Sequence, residues 1–416
     1  METTPPLLAD IRVVEVGTVV FVPSACAALA DFGAEVIKVE PPGQGDLNRR
    51  YHKLPGMPVS NLPYTFQADN RNKKSVALDV KTAAGYEALC RLVATADVFA
   101  TNYRPSAVAR LRLTYDDLKP IQPRLIYALG TALGEAGPER DKPGYDSVCY
   151  WSRSAIESQL FPMESWLGTF PYGSGDHPSG TALFGAILLG LYQREKTGHG
   201  CKVSTSLLAN GAWANATMLQ AQLAGAEFAE RRQRAQAYNF TYLHYKTGDG
   251  RILRISLLNA ERDWAPFCRA ISRPALIDDP RFAQLNERVQ NMELLIRLID
   301  EAFLEHDAQY WARTLAQFDI ACSVMPTYDE AARDPQMHAN QIIVPLEHPR
   351  LGSIATVSSP VQVDGCEKQR PTAAPELGEH TCQVLRDLGY SNEELERLIA
   401  TGAAEQFSPG AETTGE

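Results

Sequence analysis

The sequence predicts an α/β fold built on a parallel sheet, and three adjoining stretches carry that prediction. "IRVVEVG" (11–17) is rich in β-branched residues and reads as a strand. "PSACAALADFGA" (23–34) reads as a helix, with Pro near its start and Gly33 at its end. "EVIKVE" (35–40) reads as the next strand. Strand, helix and strand in so short a span make a βαβ unit, whose two strands run parallel because the helix carries the chain back.

The same alternation continues. "SVALDV" (75–80) is a strand and "TAAGYEALCRLVATA" (82–96) an amphipathic helix. "DVFATNY" (97–103) is a strand with a polar tip, "PSAVARLRL" (105–113) a short helix, and "RLIYALG" (124–130) another strand. A long helical region spans 179–194, and helices are expected to continue through 201–228. The charged run 227–236 marks a crossing between domains. "YLHYKTGDGRILRISLL" (242–258) reads as two strands around a Gly-Asp-Gly turn. Helical patterns run to about 317, and 323–337 reads as a loop with a short helix. Two strands surround "EHPRLGSIATVSSP" (347–360), an acidic helix covers 391–400, and the tail 408–416 is expected to be disordered.

Composition narrows the function. The chain has 416 residues, 44% hydrophobic and 22% charged, which suits a soluble enzyme of two or three domains. A net charge of −10 argues against nucleic acid as a partner, yet leaves room for an anionic ligand in a local basic pocket. The eight cysteines are scattered, with no CxxC pair and no metal-ligand spacing, so no metal is expected. The start lacks the pattern of a signal peptide, and no apolar run reaches the ~18 residues of a membrane span. A cytoplasmic setting is expected.

In a dinucleotide enzyme the first turn would carry G-x-G-x-x-G and the second strand would end in an acid. Here the turn is "GTVVFVPSAC" (17–26). Glu40 stands where the ribose-binding acid would, but the later glycines are missing. Val19, Val20 and Phe21 fill the space a pyrophosphate needs, which argues against nicotinamide. A turn at the carboxyl end of such a strand still lines a ligand crevice. "RNKKSVALDVKT" supplies Arg71, Lys73, Lys74 and Lys81, and "TNYRPSAVARLRL" adds Arg104 and Arg110. Taken alone these read as a solvated rim. Beside a parallel sheet in an acidic protein they suit a phosphate-bearing ligand.

Asp176 lies between Gly175 and His177 in "YGSGDHPSGTALFG". Locally it reads as a helix N-cap, with Pro178 in the first turn. The same place fits a nucleophile. A helix N-terminus keeps a carboxylate ionised. Flanking glycines let a substrate approach, and free backbone N–H groups can bind an oxyanion. A carboxylate can form an anhydride with an acyl group without help from histidine. His177, His199 and His244 have no metal spacing, and no G-x-S-x-G serine elbow is present.

Together, "LADIRVVEVG", "LADFGAEVIKVEPPGQGD", "NRNKKSVALDVKT", "ADVFATNYRP", "SGDHPSGTALFGAILLGLYQREKTGHG" and "LGEHT" (377–381) resemble class III coenzyme A transferases, the formyl-CoA and carnitine-type family, over nearly the whole chain. The resemblance implies that Asp176 is the catalytic aspartate. It places coenzyme A contacts on Val19, Val20 and Phe21, on Leu78 and Lys81, on Asn102 and Tyr103, and on Arg110 and Leu111. Lys81 and Arg110 would meet the nucleotide phosphates. Tyr145 and His177 are candidates for the substrate pocket.

The resemblance also implies a Rossmann-like large domain, a smaller α+β domain, and two subunits interlocked like chain links, as a homodimer or with a homologous subunit. The corresponding division is 1–200 for the first part of the large domain, 201–228 for linker helices, 229–325 for the small domain, and 326–416 for a linker and the C-terminal return to the large domain. The expected activity is transfer of CoA from a donor thioester, succinyl-CoA being one candidate, to a dicarboxylic or aryl-substituted acid. Aspartyl anhydride and aspartyl-CoA thioester intermediates are implied, with the CoA thioester as substrate and no permanently bound cofactor.

Three departures stand out. Pro41 replaces a family arginine. The glycine-rich loop that shields the intermediate has no counterpart, leaving "LLNAE" (257–261) as one substitute. Tyr145 stands where related racemases carry a histidine before an aspartate, and a phenol is a poor α-proton base, which favours transfer over racemisation. The rival readings are an acyl-CoA racemase or epimerase and a non-catalytic CoA-binding subunit of a hetero-oligomer.

Overall fold

The opening βαβ unit heads a seven-stranded sheet in the computed structural model, which describes residues 6–160, 170–230 and 232–408. Strand β1 (Arg12–Val16) leads through helix α1 (Phe21–Asp31) to β2 (Glu35–Glu40). Helix α2 (Tyr64–Asn70) precedes β3 (Lys73–Leu78). Helix α3 (Ala83–Val93), capped by Thr82, leads to β4 (Val98–Thr101), and α4 (Pro105–Arg110) precedes β5 (Ile126–Thr131). Helix α5 (Asp176–Thr197) then returns the chain to β6 (Cys201–Ser206).

These six strands lie parallel in the order β3-β2-β1-β4-β5-β6. The order reverses between β1 and β4. In such a doubly wound sheet the reversal opens a crevice at the carboxyl ends of those two strands, which is where ligands bind.

The stretch expected to begin the linker helices is therefore a strand. Cys201–Ser206 pairs with β5 from Ile126 to Thr131. Its residues "CKVSTS" alternate partly buried and exposed positions, as a half-covered edge strand does, so no apolar run announces it. Helices α6 (Leu207–Ala214) and α7 (Ala216–Leu223) follow.

Strand alternation sorts two apolar layers. Val14, Val16, Ile37, Val39, Val76 and Leu78 face one side, with Leu89 and Val93 of α3. Val13, Val36 and Val98 face the other, with α1 and the Leu183 and Ile187 side of α5. On that second side Gly180 brings α5 against α1. A Cβ there would lie 2.9 Å from the Phe21 carbonyl and 3.2 Å from the Ala25 nitrogen. Only hydrogen allows this crossing, which sets the start of α5 over the turn between β1 and α1.

The smaller unit is Glu227–Met337, and the larger comprises the chain up to Ala226 and from His338 onward. The small unit holds an antiparallel sheet of β7 (His244–Lys246), β8 (Ile252–Ser256) and β9 (Ala321–Val324). Its core is aromatic: Tyr245, Phe267, Phe303 and Trp311 are fully buried, and the Trp311 indole donates to the Phe303 carbonyl at 2.8 Å. The segment read as loop and short helix begins inside β9 and continues as two short helices.

After the hairpin β10 (Ile343–His348) and β11 (Gly352–Val357), the chain runs along the large sheet's edge. Backbone N–H groups of His380 and Gly378 reach the Ser75 carbonyl and hydroxyl, and the Ala77 N–H reaches the Thr381 hydroxyl. Past two helices (Thr381–Asp387 and Asn392–Ala400), β12 (Ala404–Glu405) pairs antiparallel with β3. That return covers β3, whose unpaired edge would otherwise invite aggregation.

Candidate active site

The crevice between β1 and β4 is closed by a strained turn. The Thr18 N–H donates to Asn102 Oδ1 at 3.0 Å and Asn102 Nδ2 donates back to the Thr18 carbonyl at 2.7 Å, tying the two strand tips together. Val19 has φ 66°, a left-handed conformation that costs a β-branched residue ~1–3 kcal/mol. Asp46 holds it there. One oxygen, Oδ1, accepts from the Thr18 hydroxyl (2.7 Å), the Val19 N–H (2.9 Å) and the Asn48 N–H (2.9 Å), while Asn48 Nδ2 donates to the Val19 carbonyl.

Asp46 is anchored in turn by a buried charge network. Glu15 and Lys38 are register partners on β1 and β2, and both point to the α1 side. Lys38 Nζ lies 2.7 Å from Glu15 and 2.8 Å from Asp46, and donates to the Gly17 carbonyl at 2.9 Å. Lys73 on β3 reaches the other Glu15 oxygen at 2.7 Å. The side chains of Glu15, Lys38 and Lys73 have no solvent exposure. Burial would strip the proton from Lys38, but the carboxylates of Asp46 and Glu15 reverse that and raise its pKa. Burial likewise resists ionisation of Asp46, and Lys38 with the backbone N–H groups overcomes it, so its pKa falls.

This network corrects the reading of the basic cluster. Arg71 is a buried, bidentate partner of Asp31 (2.6 and 2.9 Å), Lys73 serves Glu15, and Lys74 pairs with Glu35 at 2.5 Å. Arg71 and Lys73 are buried and Lys74 is half-covered, and all three are committed to carboxylates rather than free for a phosphate. Glu40 is equally committed: Arg49 grips both its oxygens at 2.8 Å and the Ser75 hydroxyl adds 2.7 Å. The available signal was an acid and a lysine at the same alternation phase on neighbouring parallel strands.

Asp176 is the first residue of α5, and the cap position belongs to Gly175, not to Asp176. The Gly175 N–H is held by Asp146 Oδ2 at 3.0 Å. A Cβ on Gly175 would lie 2.8 Å from the Tyr150 ring and 3.0 Å from Asp146 Cβ, so the bend closes only around glycine. Asp176 is 9% exposed, and its carboxylate accepts no hydrogen bond from the described residues. Burial, with Asp146 and then Asp69 adding to it against the pull of His177, pushes its pKa up to about 7. The helix terminus therefore does not leave this carboxylate fully ionised at neutral pH, as the sequence reading expected.

A cavity of about 430 Å³ opens at the crevice. It brings Asp176 and Tyr145 together with Val19, Val20 and Phe21 of the first turn. Asn102 and Tyr103 line it from the β4 tip, and Lys81, Arg110 and Leu111 from the neighbouring loop and helix end. Lys81 and Arg110 form no ion pair among the described residues. Arg104, Arg140 and Lys142 also line the cavity. The last two, in "ERDKPGYD", were not singled out from the sequence, since a loop's position in space is not encoded by local pattern.

Two expected residues lie outside this lining. The Leu78 side chain is 1% exposed within the sheet core. The His177 ring turns to Asp69, with Nε2 3.0 Å from Oδ1. In the aromatic stretch read as a pocket for a bulky acid (149–172), residues 161–169 lie outside the described residues. Of the rest, Trp151 stacks on Phe170 with centroids 4.3 Å apart, and the Tyr172 hydroxyl donates to Asn48 Oδ1 at 3.0 Å. The segment 257–261 belongs to the small unit. A further concavity of about 470 Å³ on that unit is lined by Arg234 and Asp300, which pair with each other. Among the described residues, no three His, Cys, Asp or Glu side chains are grouped to hold a metal, and no helix is long and apolar enough to cross a membrane.

The model of CoA-transferase family III matches residues 8–381. The chain is 30% identical over 390 residues to "(R)-2-hydroxy-4-methylpentanoate CoA-transferase" of Clostridioides difficile, covering 94% of this chain and 97% of that protein. It is 30% identical to "Succinyl-CoA:glutarate CoA-transferase" of Homo sapiens, covering 96% of this chain and 90% of the relative. A solved CAIB/BAIF family protein from Brucella suis superposes with a TM-score of 0.80 at 26% identity, covering 92% of this chain and 100% of that one.

Proposed function

The chain belongs to CoA-transferase family III, and from that premise we propose that it moves coenzyme A from a donor acyl-CoA to a carboxylic acid by way of Asp176. The observation that carries this reading is the position of Asp176 on the same cavity as Lys81 and Arg110, with its basicity raised and its carboxylate accepting no hydrogen bond from the described residues.

An Asp176 oxygen attacks the thioester carbonyl, the C–S bond breaks, and CoA leaves as thiolate from an aspartyl–acyl anhydride. The thiolate attacks the aspartyl carbonyl, giving aspartyl-CoA thioester and the donor acid. The acceptor carboxylate attacks that thioester, releasing thiolate and forming a second anhydride. Thiolate attack on the acceptor's acyl carbon then yields the new acyl-CoA and restores Asp176. One thioester replaces another, so the cycle needs neither ATP nor metal. The raised pKa makes the ionised carboxylate a better nucleophile, because basicity and nucleophilicity rise together.

In this reading Lys81 and Arg110 bind the nucleotide phosphates, while Val19 to Phe21, Asn102 and Tyr103 flank the pantetheine arm. Leu78, buried in the sheet core, contributes by anchoring the end of β3 from which the chain runs on to Lys81. Tyr145, 56% exposed, stands at the acyl end. Succinyl-CoA is the first donor to test, with dicarboxylic and aryl-substituted acids as acceptors. The free cysteines suit a reducing cytoplasm.

The test is a chemical trap. The protein is mixed with succinyl-CoA, then with hydroxylamine or borohydride, and peptides are read by mass spectrometry. A mass change on the Asp176 peptide, absent in Asp176→Ala, is the expected result. If a panel of acyl-CoAs leaves Asp176 untouched while α-deuterium enters from heavy water, the enzyme is a racemase.

The proposal includes an interlocked dimer. Leu189 and Tyr192 on α5, Trp213 on α6 and Leu223 on α7 are 63–81% exposed, an apolar set that suits burial against a second copy. Light scattering at micromolar concentration is expected to give twice the 45.8 kDa chain mass. Trp213→Glu with Leu223→Glu should reduce it to one chain. A wild-type monomer would remove the dimer from the reading.

A further inference from the structure

We propose that Asp69 and His177 act as a positioning pair, in which an imidazolium fixed beside Asp176 latches the bend that carries it and biases Asp176 toward its ionised form. This rests on the reading of Asp176 as the nucleophile.

Geometry fixes the charge of the ring. Nδ1 lies 2.9 Å from the Gly173 carbonyl and Nε2 lies 3.0 Å from Asp69 Oδ1. Both partners only accept, so a ring that satisfies both must carry a proton on each nitrogen. Asp69 gives an independent reason. Its side chain is 4% exposed, and His177 is its only ion-pair partner among the described residues. A neutral ring would leave a buried carboxylate without a counter-charge. The His177 side chain is half exposed; its packed side works against protonation, but the charge of Asp69 and the hydrogen bonds to it and to Gly173 raise the His177 pKa to about 9.

The same geometry makes a latch. The Gly173 carbonyl accepts both the His177 ring and the His177 backbone N–H at 2.9 Å, and Gly173 has φ 72°. The bend 173–177 is thus closed on itself, with Asp176 inside it. A cation in the first turn of a helix opposes the helix dipole. Its presence here is explained by what surrounds Asp176. Asp146, before the bend, and Asp69, on α2, are acidic side chains that both raise the Asp176 pKa. Tyr51, Tyr172 and Cys149 also lie within electrostatic reach, and their pKa values are all raised, which keeps them uncharged. His177 supplies the cation that opposes the two acids. Its ring lies outside the cavity lining, so it acts through Asp176 rather than on substrate.

The test reads the Asp176 carboxyl directly. In protein labelled with ¹³C at aspartate side chains, Asp176 is assigned by its loss in Asp176→Asn and titrated by NMR. His177→Gln is expected to move the Asp176 midpoint up by about one pH unit, and Asp69→Asn, in which the ring loses its counter-charge as Asp176 loses an acid, to leave it near the wild-type value. The double variant should return close to wild type. Activity below the midpoint should then fall about tenfold further in His177→Gln, with little change at pH 9. Ring nitrogens of His177 should both carry protons at pH 7.5. An unmoved or lowered midpoint in His177→Gln, or a neutral ring at pH 7.5, overturns the proposal. If His177→Gln is too unstable to titrate, Asp69→Asn decides through the ring: a His177 that stays doubly protonated at pH 7.5 there contradicts the pair. A midpoint that shifts while the rate profile stays still leaves the pair standing and removes Asp176 as the reacting group.

Discussion

Asp176→Asn is expected to lose CoA transfer by roughly 10³-fold or more and, at the same time, to raise the melting temperature above pH 7. The two effects share one cause. Asn keeps the shape of the bend but cannot form the anhydride. In the wild type, folding lifts the Asp176 pKa from its ordinary 3.8 to about 7. A carboxyl with a raised pKa is neutral in the folded state while the unfolded chain has already released its proton. Stability therefore falls as pH rises from about 4 to about 7 and is level above. Fully expressed, that penalty is at most about 4 kcal/mol.

Asn removes the penalty. The melting-temperature gain should be near zero at pH 4, grow through pH 5 and 6, and be complete above 7. Calorimetry across that range, beside the transferase assay, checks both halves. Full activity in Asp176→Asn would end the proposed chemistry. Loss of activity with no pH-dependent gain in stability would mean that Asp176 is not electrostatically strained. The rate profile of the wild type follows the same logic: activity should climb with pH through about 7 as the carboxylate ionises.

The parallel sheet was legible because β1, β2, β4 and β5 are strands buried on both faces, and such strands read as nearly continuous apolar runs. β6 was not, because an edge strand needs only half its residues buried, and "CKVSTS" offers no such run. β12 is two residues long and exists by pairing with β3, which lies over 300 residues earlier. Asp176 stood out by its glycine neighbours. Its raised pKa did not, since that arises from burial, with Asp146 and Asp69 adding to it, all supplied by the fold. The basic cluster misled for the same reason: whether Lys73 meets solvent or Glu15 depends on which face of β3 the sheet covers.

That covered face leads to the second large effect. Lys38→Met is expected to cost 3–5 kcal/mol, about what removing one partner of a buried ion pair costs. Methionine fills the same space, so the loss is electrostatic. Glu15 would keep Lys73, but Asp46 would lose its counter-charge at 2.8 Å, and the Gly17 carbonyl its donor at 2.9 Å. Lys74→Met is the matched control. It sits next to Lys73 on β3, yet its pair with Glu35 is about 31% exposed on each side, where such pairs contribute roughly 0–1 kcal/mol.

The pH dependence separates electrostatics from packing. The lowered Asp46 pKa contributes stability that is present above its ordinary 3.8 and is lost as pH falls through the lowered value. Lys38→Met should accordingly be most deficient above pH 4 and approach wild type in strong acid. The same substitution should reach the active site. Asp46 holds the Thr18 hydroxyl and the Val19 N–H, and Val19 keeps φ 66° only while that grip offsets its strain. With Asp46 protonated or displaced, the turn lining the cavity should relax, and the KM for acyl-CoA should rise more than kcat falls. Urea unfolding and steady-state kinetics on both variants measure this. Equal losses in Lys38→Met and Lys74→Met would show that the buried network adds nothing special. A large stability loss with unchanged KM would confine it to the core and leave the Val19 turn supported by Asn102 and Asn48 alone.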